Sequence, residues 1–390
     1  MIPENIIQHS CLNEGNKTRL AEKLRKAAQG NDITVTFIGG SITQRFDAEA
    51  HECYCRLTAD WFCRSFPDIN VTYINAGIGA TGSYIGVHRV DDDILKFNPD
   101  LVFVEFSVND TEDGLARNIE AYDNLLRKIW FHENSPAIIT VAMTMEDGWS
   151  FQDEHLKVVM YYDIPMISYR NAILTGINSG VIKWPDISDD DIHPNTNGHR
   201  VLSELIIAYL KDVKQKSISG IQNKENDFII PYTTEKYIQA TLIRSGTYNS
   251  NNECCCRGQN KVFGKLISAG GFETSDEDFG NLIGYWQLES RMTFAVKCRN
   301  IGLLYAKLSE GGGDFTVFVD GIKVADLSAD FSDGWGDYVE AEEIFAAEET
   351  AEHIIEIVKT QDSLAQKENN AGQNSTGKNG MVLVSALAVS

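Results

Sequence analysis

The chain has 390 residues, 43% of them hydrophobic, which is enough to bury a full core and suggests roughly two or three domains. Its formal net charge of -22 argues against binding to nucleic acid or to an anionic membrane surface, because both partners would be strongly negative. The first residues lack a basic region followed by an apolar one, and no apolar run approaches a membrane span. We therefore expect a soluble, unexported, cytoplasmic protein that acts on a neutral substrate.

The first 215 residues alternate apolar, β-branched runs with helical segments. Strands are predicted at Ile33–Ile38, Val71–Asn75, Leu101–Phe106, Ala137–Ala142 and Met166–Ser168. Helices are predicted at Asn16–Ala28, Cys53–Ser65, Ile119–Phe131, Asp153–Tyr162 and Asn197–Lys214. This alternation predicts a parallel sheet covered on both faces, which is a three-layer α/β/α sandwich over residues 1–215.

The composition changes after the last of these helices. Residues 216–227 are polar, as expected of a linker, and residues 228–390 contain short alternating runs separated by Gly, Asn and Asp. Asp320-Gly321 lies between two such runs, which predicts a hairpin with a type I′ turn. The second domain is therefore predicted to be an all-β sandwich of the jelly-roll type, with a long loop over residues 362–379. Its predicted strands are Met292–Val296, Gly302–Lys307, Phe315–Val319, His353–Val358 and Met381–Val389.

The eight cysteines show no regular disulfide pattern, and in an unexported protein they should be reduced. Cys254, Cys255 and Cys256 are consecutive, a spacing at which thiolates converge poorly on one ion. Free thiols are therefore the favoured interpretation, and we expect neither a metal nor a cofactor.

Four short blocks at the ends of predicted elements carry polar groups suited to catalysis. They are Gly39-Gly40-Ser41-Ile42-Thr43, Asn75-Ala76-Gly77-Ile78-Gly79-Ala80, Ser107-Val108-Asn109-Asp110 and Asp190-Asp191-Ile192-His193-Pro194. In this order they resemble the blocks of the SGNH (GDSL-like) hydrolase superfamily, over roughly residues 30–210. The resemblance implies a serine hydrolase with its site at the carboxyl edge of the sheet.

The chemistry of ester hydrolysis assigns a role to three of these residues. A neutral serine hydroxyl is a poor nucleophile, so His193 would accept the proton of Ser41 during attack on the ester carbonyl. A carboxylate would orient the imidazole, and Asp190, three residues before His193, holds that position in the family. Because three aspartates are consecutive, Asp189 and Asp191 remain alternatives.

By resemblance, negative charge on the carbonyl oxygen would be stabilised by the Ser41 N–H, a backbone N–H of the second block and the Asn109 side chain. The family's glycine in the second block is replaced by Ala80, and Gly79 stands one position earlier. A backbone N–H does not require glycine unless φ is positive, so Ala80 is assigned as the donor and Gly79 as a substrate contact. The third block also begins with Ser107 where the family usually has glycine.

The sequence predicts the acyl group and the alcohol of the substrate less directly than it predicts the catalytic residues. No long apolar insertion would form a lid, which favours a short acyl group such as acetyl. The second domain resembles galactose-binding-type sandwiches and carbohydrate-binding modules, and the whole arrangement resembles two-domain bacterial acetyl esterases acting on plant glycans, including mannan. The resemblance implies a serine esterase that removes O-acetyl groups from imported plant-type oligosaccharides. A general short-chain esterase or thioesterase, and a non-catalytic glycan-binding protein, are the alternatives.

Two tryptophans of the second domain are candidates for sugar contact. Trp335 stands between glycines in a polar stretch, which favours exposure and stacking on a sugar ring as much as packing. We expect the sandwich to bring Trp335 toward the Ser41 cleft. Trp286 alternates with apolar neighbours and is expected to be packed.

Overall fold

A computed structural model describes residues 2–45, 51–218, 230–244, 253–255, 262–279, 282–332, 334–360 and 380–390. The chain forms two compact units, Met1–Ile238 and Gln239–Ser390. The sequence placed the start of the second domain at 228, but residues 231–238 lie with the first unit. Tyr237 is fully buried, and the Thr233 hydroxyl donates to Asp123 at 2.6 Å. The predicted loop at 362–379 and the part of the predicted linker beyond 218 lie outside the described residues.

The first unit contains a six-stranded sheet with the order β1-β6-β5-β4-β2-β3. Its strands are β1 (Cys11–Asn13), β2 (Ile33–Gly39), β3 (Val71–Gly77), β4 (Leu101–Glu105), β5 (Ala137–Ala142) and β6 (Met166–Ser168). The five strands from β2 to β6 pair in parallel, as predicted. β1, a strand that the sequence did not predict, pairs antiparallel with β6 at the edge of the sheet. A three-residue strand is too short to show a period in the sequence.

Every residue of β4 and β5 is buried, because helices cover both faces of this sheet. The helices are α1 (Glu4–Ser10), α2 (Thr18–Ala28), α3 (Ser41–Gln44), α4 (Tyr54–Ser65), α5 (Ser83–Asp93), α6 (Leu115–Trp130), α7 (Gln152–Tyr161), α8 (Tyr169–Asn178) and α9 (Thr196–Ile218). The predicted α/β architecture is confirmed, although α1, α5 and α8 were missed. In α5 every residue from 83 to 90 is buried, so the helix has no polar face to reveal its period. Among the described helices, none is long and apolar enough to cross a membrane.

The second unit is built from strands, which confirms the predicted all-β class. Its strands are β7 (Thr241–Arg244), β8 (Glu253–Cys255), β9 (Val262–Phe279), β10 (Leu282–Lys307), β11 (Asp314–Val319), β12 (Ile322–Ser328), β13 (Tyr338–Lys359) and β14 (Leu383–Val389). Neighbouring strands are antiparallel except β10 and β14, which pair in parallel. The predicted hairpin joins β11 to β12 through Asp320 (φ 53°) and Gly321 (φ 78°), the two positive angles of a type I′ turn.

Two of the strands predicted for the second unit are parts of a single strand in the structure. The segments expected at 292–296 and 302–307 belong to one strand, β10, whose pairing with β13 shifts register between Cys298 and Asn300 and between Ile301 and Gly302. Such bulges bend a strand without ending it, and the sequence pattern is interrupted there. Phe294 and Tyr305, on either side of the bulges, belong to the same buried cluster.

Cysteine side chains are described at five positions, and all five are free: Cys11, Cys53, Cys55, Cys63 and Cys298. The side chains of Cys254, Cys255 and Cys256 lie outside the described part of the chain. The prediction of free thiols at those three positions therefore stays a prediction.

Candidate active site

Three adjacent parallel strands bring three of the four sequence blocks to one edge of the sheet. β2 lies between β3 and β4, and its last residue, Gly39, pairs with Gly77 on one side and Glu105 on the other. Parallel strands end at the same edge of a sheet, so the segments that follow them start side by side. These segments carry Ser41, Ala80 and Asn109.

Ser41 is the first residue of α3 and follows a sharp turn at Gly40. A Cβ atom at Gly40 would stand 2.1 Å from Asn109 Oδ1, so only glycine fits between the turn and this side chain. The Asn109 Nδ2 atom is farther from that point, at 3.4 Å, and is turned away from Gly40. The turn therefore places the Gly40 backbone, one residue before Ser41, against the Asn109 side-chain amide.

His193 comes from the loop before α9 and reaches Ser41 across the sheet edge. Its Nε2 atom is 2.9 Å from Ser41 Oγ, and its Nδ1 atom is 2.7 Å from Asp190 Oδ2. The His193 side chain is 17% exposed, so solvent still reaches the group. The arrangement can move a proton from the serine hydroxyl to an imidazole that a carboxylate orients.

The structure distinguishes among the three consecutive aspartates. Besides the imidazole bond, Asp190 Oδ1 accepts the backbone N–H groups of Ile192 at 2.7 Å and His193 at 2.6 Å. Burial acts to raise the pKa of Asp190, but the hydrogen bonds from His193 and Ile192 outweigh it and hold the pKa below its usual value. Asp189 instead contacts the Asn195 amide at 3.4 Å, and the Asp191 backbone carbonyl accepts the Glu146 N–H at 2.9 Å.

Two residues that the sequence reasoning missed hold this loop in shape. The Ser188 hydroxyl donates to the His193 carbonyl at 2.6 Å and contacts the Asp190 carbonyl at 2.8 Å. The Trp184 indole N–H donates to the Asp190 carbonyl at 2.7 Å. A serine two residues before an aspartate is a common turn pattern and was the available signal for Ser188.

Ala80 and Gly79 differ in what their backbone N–H groups contact. The Gly79 N–H donates to the Gln44 side chain at 2.7 Å, whereas no hydrogen bond of the Ala80 N–H is found in the part of the chain that the structure describes. Ala80 has φ 56°, in the left-handed region that disfavours a side chain. The sequence assigned Ala80 on the condition that its φ is not positive, and that condition is not met.

Buried ionisable groups lie beneath the strand ends. Burial raises the pKa of Glu105 to about 7, although hydrogen bonds from the Ser107 N–H, the Thr43 hydroxyl and the Gly40 N–H act to lower it. Asp110, the residue after Asn109, contacts His155 Nε2 at 2.8 Å and accepts the Ser83 N–H at 2.8 Å.

Of the two candidate tryptophans, only Trp335 has a side chain among the described atoms. Trp335 is 70% exposed, and its ring stacks on Tyr338 with centroids 5.1 Å apart and contacts Phe331 edge-on. Trp286 lies in β10, but its side chain is outside the described atoms, so its packing stays a prediction.

Comparison with known proteins gives two kinds of match. Residues 37–201 match the model of the GDSL-like lipase/acylhydrolase family. The whole chain is similar to a two-domain esterase active on acetylated mannans, with 25% identity, a TM-score of 0.81 and 98% of each chain covered. A structure of such an esterase co-crystallized with mannopentaose gives 25% identity and a TM-score of 0.79, covering 98% of this chain and 97% of that chain. A search of curated proteins gave no significant match.

The left-handed conformation of Ala80 leads to a stability prediction. An L-residue in this region costs about 1 to 2 kcal/mol, of which the greater freedom of glycine in the unfolded chain offsets about 0.4 to 1. Ala80→Gly should therefore raise the free energy of unfolding of the first unit by up to about 1.6 kcal/mol, measured by calorimetry. Ala208→Gly, within α9, is the control and should lower it by about 1 kcal/mol. A loss at Ala80 equal to that of the control would contradict the strain.

Proposed function

Because residues 37–201 match the model of the GDSL-like lipase/acylhydrolase family, we propose that this carboxylic ester hydrolase removes O-acetyl groups from plant-type oligosaccharides through Ser41, His193 and Asp190. The family match confirms the resemblance that the four blocks predicted. The observation that carries the proposal is the pair of contacts that links the three side chains, 2.9 Å from Ser41 Oγ to His193 Nε2 and 2.7 Å from His193 Nδ1 to Asp190 Oδ2. These contacts supply the nucleophile, the base and the orienting carboxylate that acyl transfer to a serine requires.

The proposed reaction has two steps. Ser41 Oγ attacks the acetyl carbonyl carbon while His193 Nε2 takes the hydroxyl proton, and Asp190 stabilises the imidazolium. His193 then returns the proton to the sugar oxygen as the ester bond breaks, leaving an acetyl group on Ser41. In the second step His193 deprotonates a water molecule, which attacks the acetyl group, and acetate leaves as Ser41 regains its proton.

Three donors would stabilise the oxyanion that forms in each step. The backbone N–H groups of Ser41 and Ala80 and the Asn109 side-chain amide follow adjacent strands and are proposed for this role. Each such donor typically contributes about 10²- to 10³-fold in rate. The engagement of Gly79 by Gln44 supports Ala80 over its neighbour as the backbone donor of the second block.

The proposed substrate is an acetylated mannan-type oligosaccharide. The supporting observation is the similarity to the esterase active on acetylated mannans, which extends over both units of this chain. We further propose that the reaction takes place in the cytoplasm on imported oligosaccharides. Five free cysteines among the described side chains fit a reducing compartment.

We propose that the second unit binds carbohydrate through Trp335. An exposed indole ring that is held by two aromatic neighbours offers a flat apolar face to a sugar ring. Phe331 and Tyr338 restrict the ring before any ligand binds, which reduces the entropy lost on binding.

The nucleophile assignment predicts the effect of Ser41→Ala. Hydrolysis of a chromogenic acetate ester should fall by at least about 10³-fold, since loss of a catalytic serine costs about 10⁶-fold in a well-characterised serine protease. Ser65→Ala, a partly buried serine at the end of α4, is the control and should keep full activity. Retention of more than about a tenth of wild-type kcat by Ser41→Ala would reject the assignment.

The carbohydrate assignment predicts a substrate-dependent effect of Trp335→Ala. On acetylated manno-oligosaccharides kcat/KM should fall about five- to thirtyfold, while hydrolysis of small aryl acetates should stay near wild type. Ile322→Ala is the matched control, since this side chain is also 70% exposed on the same unit. Acetate release is followed by mass spectrometry of the oligosaccharides. Equal effects on both substrates, or none on either, would remove Trp335 from substrate binding.

A further inference from the structure

Arg89, in the middle of α5, has one of the largest fully buried side chains of the first unit. A guanidinium group in the interior is costly unless every bond it loses with water is replaced. One replacement is an ion pair with Asp93, one turn later in the helix, at 3.1 Å. Neither the sequence blocks nor the proposed reaction explains why this position holds an arginine.

Two further bonds of Arg89 go to the backbone of two strands that lead into the site. Its Nη2 atom donates to the Gly39 carbonyl at 3.0 Å, and its Nη1 atom donates to the Ala76 carbonyl at 2.6 Å. Gly39 ends β2 two residues before Ser41, and Ala76 lies in β3 four residues before Ala80. One planar group thus joins the strand that leads to the nucleophile with the strand that leads to the proposed oxyanion donor.

The peptide group between Gly39 and Gly40 is held from both sides. Its oxygen accepts the Arg89 guanidinium and the Ile78 N–H, both at 3.0 Å, and its N–H donates to the buried Glu105 carboxyl. This peptide is the last one before the turn that presents Ser41. It is joined through Gly40 to the peptide that carries the Ser41 N–H, so its orientation constrains the direction of that N–H.

We propose that Arg89 is a positioning residue for the oxyanion donors: it fixes the Ser41 N–H relative to the Ala80 N–H. The inference rests on the proposed function, since it assumes that these two groups stabilise the oxyanion. Sites of this kind need geometry within about 0.5 Å, and a displacement of about 1 Å can cost 10²-fold in rate. Lysine keeps the charge but lacks the planar fork that reaches two carbonyls.

The test compares Arg89→Lys with wild type on p-nitrophenyl acetate and with a trifluoromethyl ketone. Addition of Ser41 to this ketone gives a hemiketal whose oxyanion faces the same donors. We expect kcat to fall about 10- to 100-fold with KM within about threefold, and the inhibition constant of the ketone to rise by a similar factor to the loss in kcat. Active sites are titrated, so that an unfolded fraction does not count as a loss of kcat.

Arg127→Lys is the matched control for loss of stability. Arg127 is also buried, on α6, but its Nη2 atom contacts Glu235 at 2.8 Å and not the strand ends. This variant should melt at a lower temperature while kcat and the inhibition constant stay within about twofold of wild type. Arg89→Gln, which removes the buried cation and keeps a planar amide, provides the same comparison in case Arg89→Lys does not fold.

Two outcomes would overturn the inference, and they are distinguishable. Full kcat and an unchanged inhibition constant in the Arg89 variants, with activity that still requires Ser41, would overturn this inference alone. Wild-type hydrolysis that does not require Ser41 would overturn the proposed function and the role of Arg89 together.

Discussion

The parallel pairing of β2 with β3 and β4 is the constraint on which the site depends. The apolar, β-branched run from Ile33 to Ile38 forms a strand that is buried between two others, and its register aligns Gly39 with Gly77 and Glu105. Because the three strands end together, Ser41 and the two proposed donors follow at neighbouring positions. Only the His193 loop must reach this edge independently, and its internal hydrogen bonds give it a defined shape.

The buried polar side chains beneath this edge fix the positions of backbone groups, at a cost to the stability of the fold. Arg89, Glu105 and the Asp110–His155 pair are all buried, and contacts with protein replace part of the contacts with water that each loses. Their partners include backbone groups at the ends of strands and at the start of α5, where the regular ladder of hydrogen bonds stops. A core of apolar side chains would pack there equally well but could not orient a peptide group.

The sequence predicted the parts of the fold that have a strong local pattern. The five parallel strands are apolar, β-branched runs bounded by turns, and the four blocks appear in a fixed order, so both could be recognised. β1 is too short to show a period, and α5 is buried on all sides, so neither has an amphipathic pattern. Arg89 bonds backbone carbonyls that are distant from it in the sequence, and Ser188 bonds a carbonyl within its own loop. A sequence does not show which carbonyl a side chain will reach, so neither role could be predicted. The positive φ of Ala80 is equally absent from the sequence, since nothing local marks it.

Covalent labelling tests the central claim, that Ser41 is a nucleophile activated by His193. The protein is treated with a fluorophosphonate, and the modified residue is located by mass spectrometry of its peptides. We expect a single adduct on Ser41 in the wild type and a labelling rate at least about 10²-fold lower in His193→Ala, because the hydroxyl then has no base. An adduct on another residue, or equal labelling rates of Ser41 in both proteins, would contradict it.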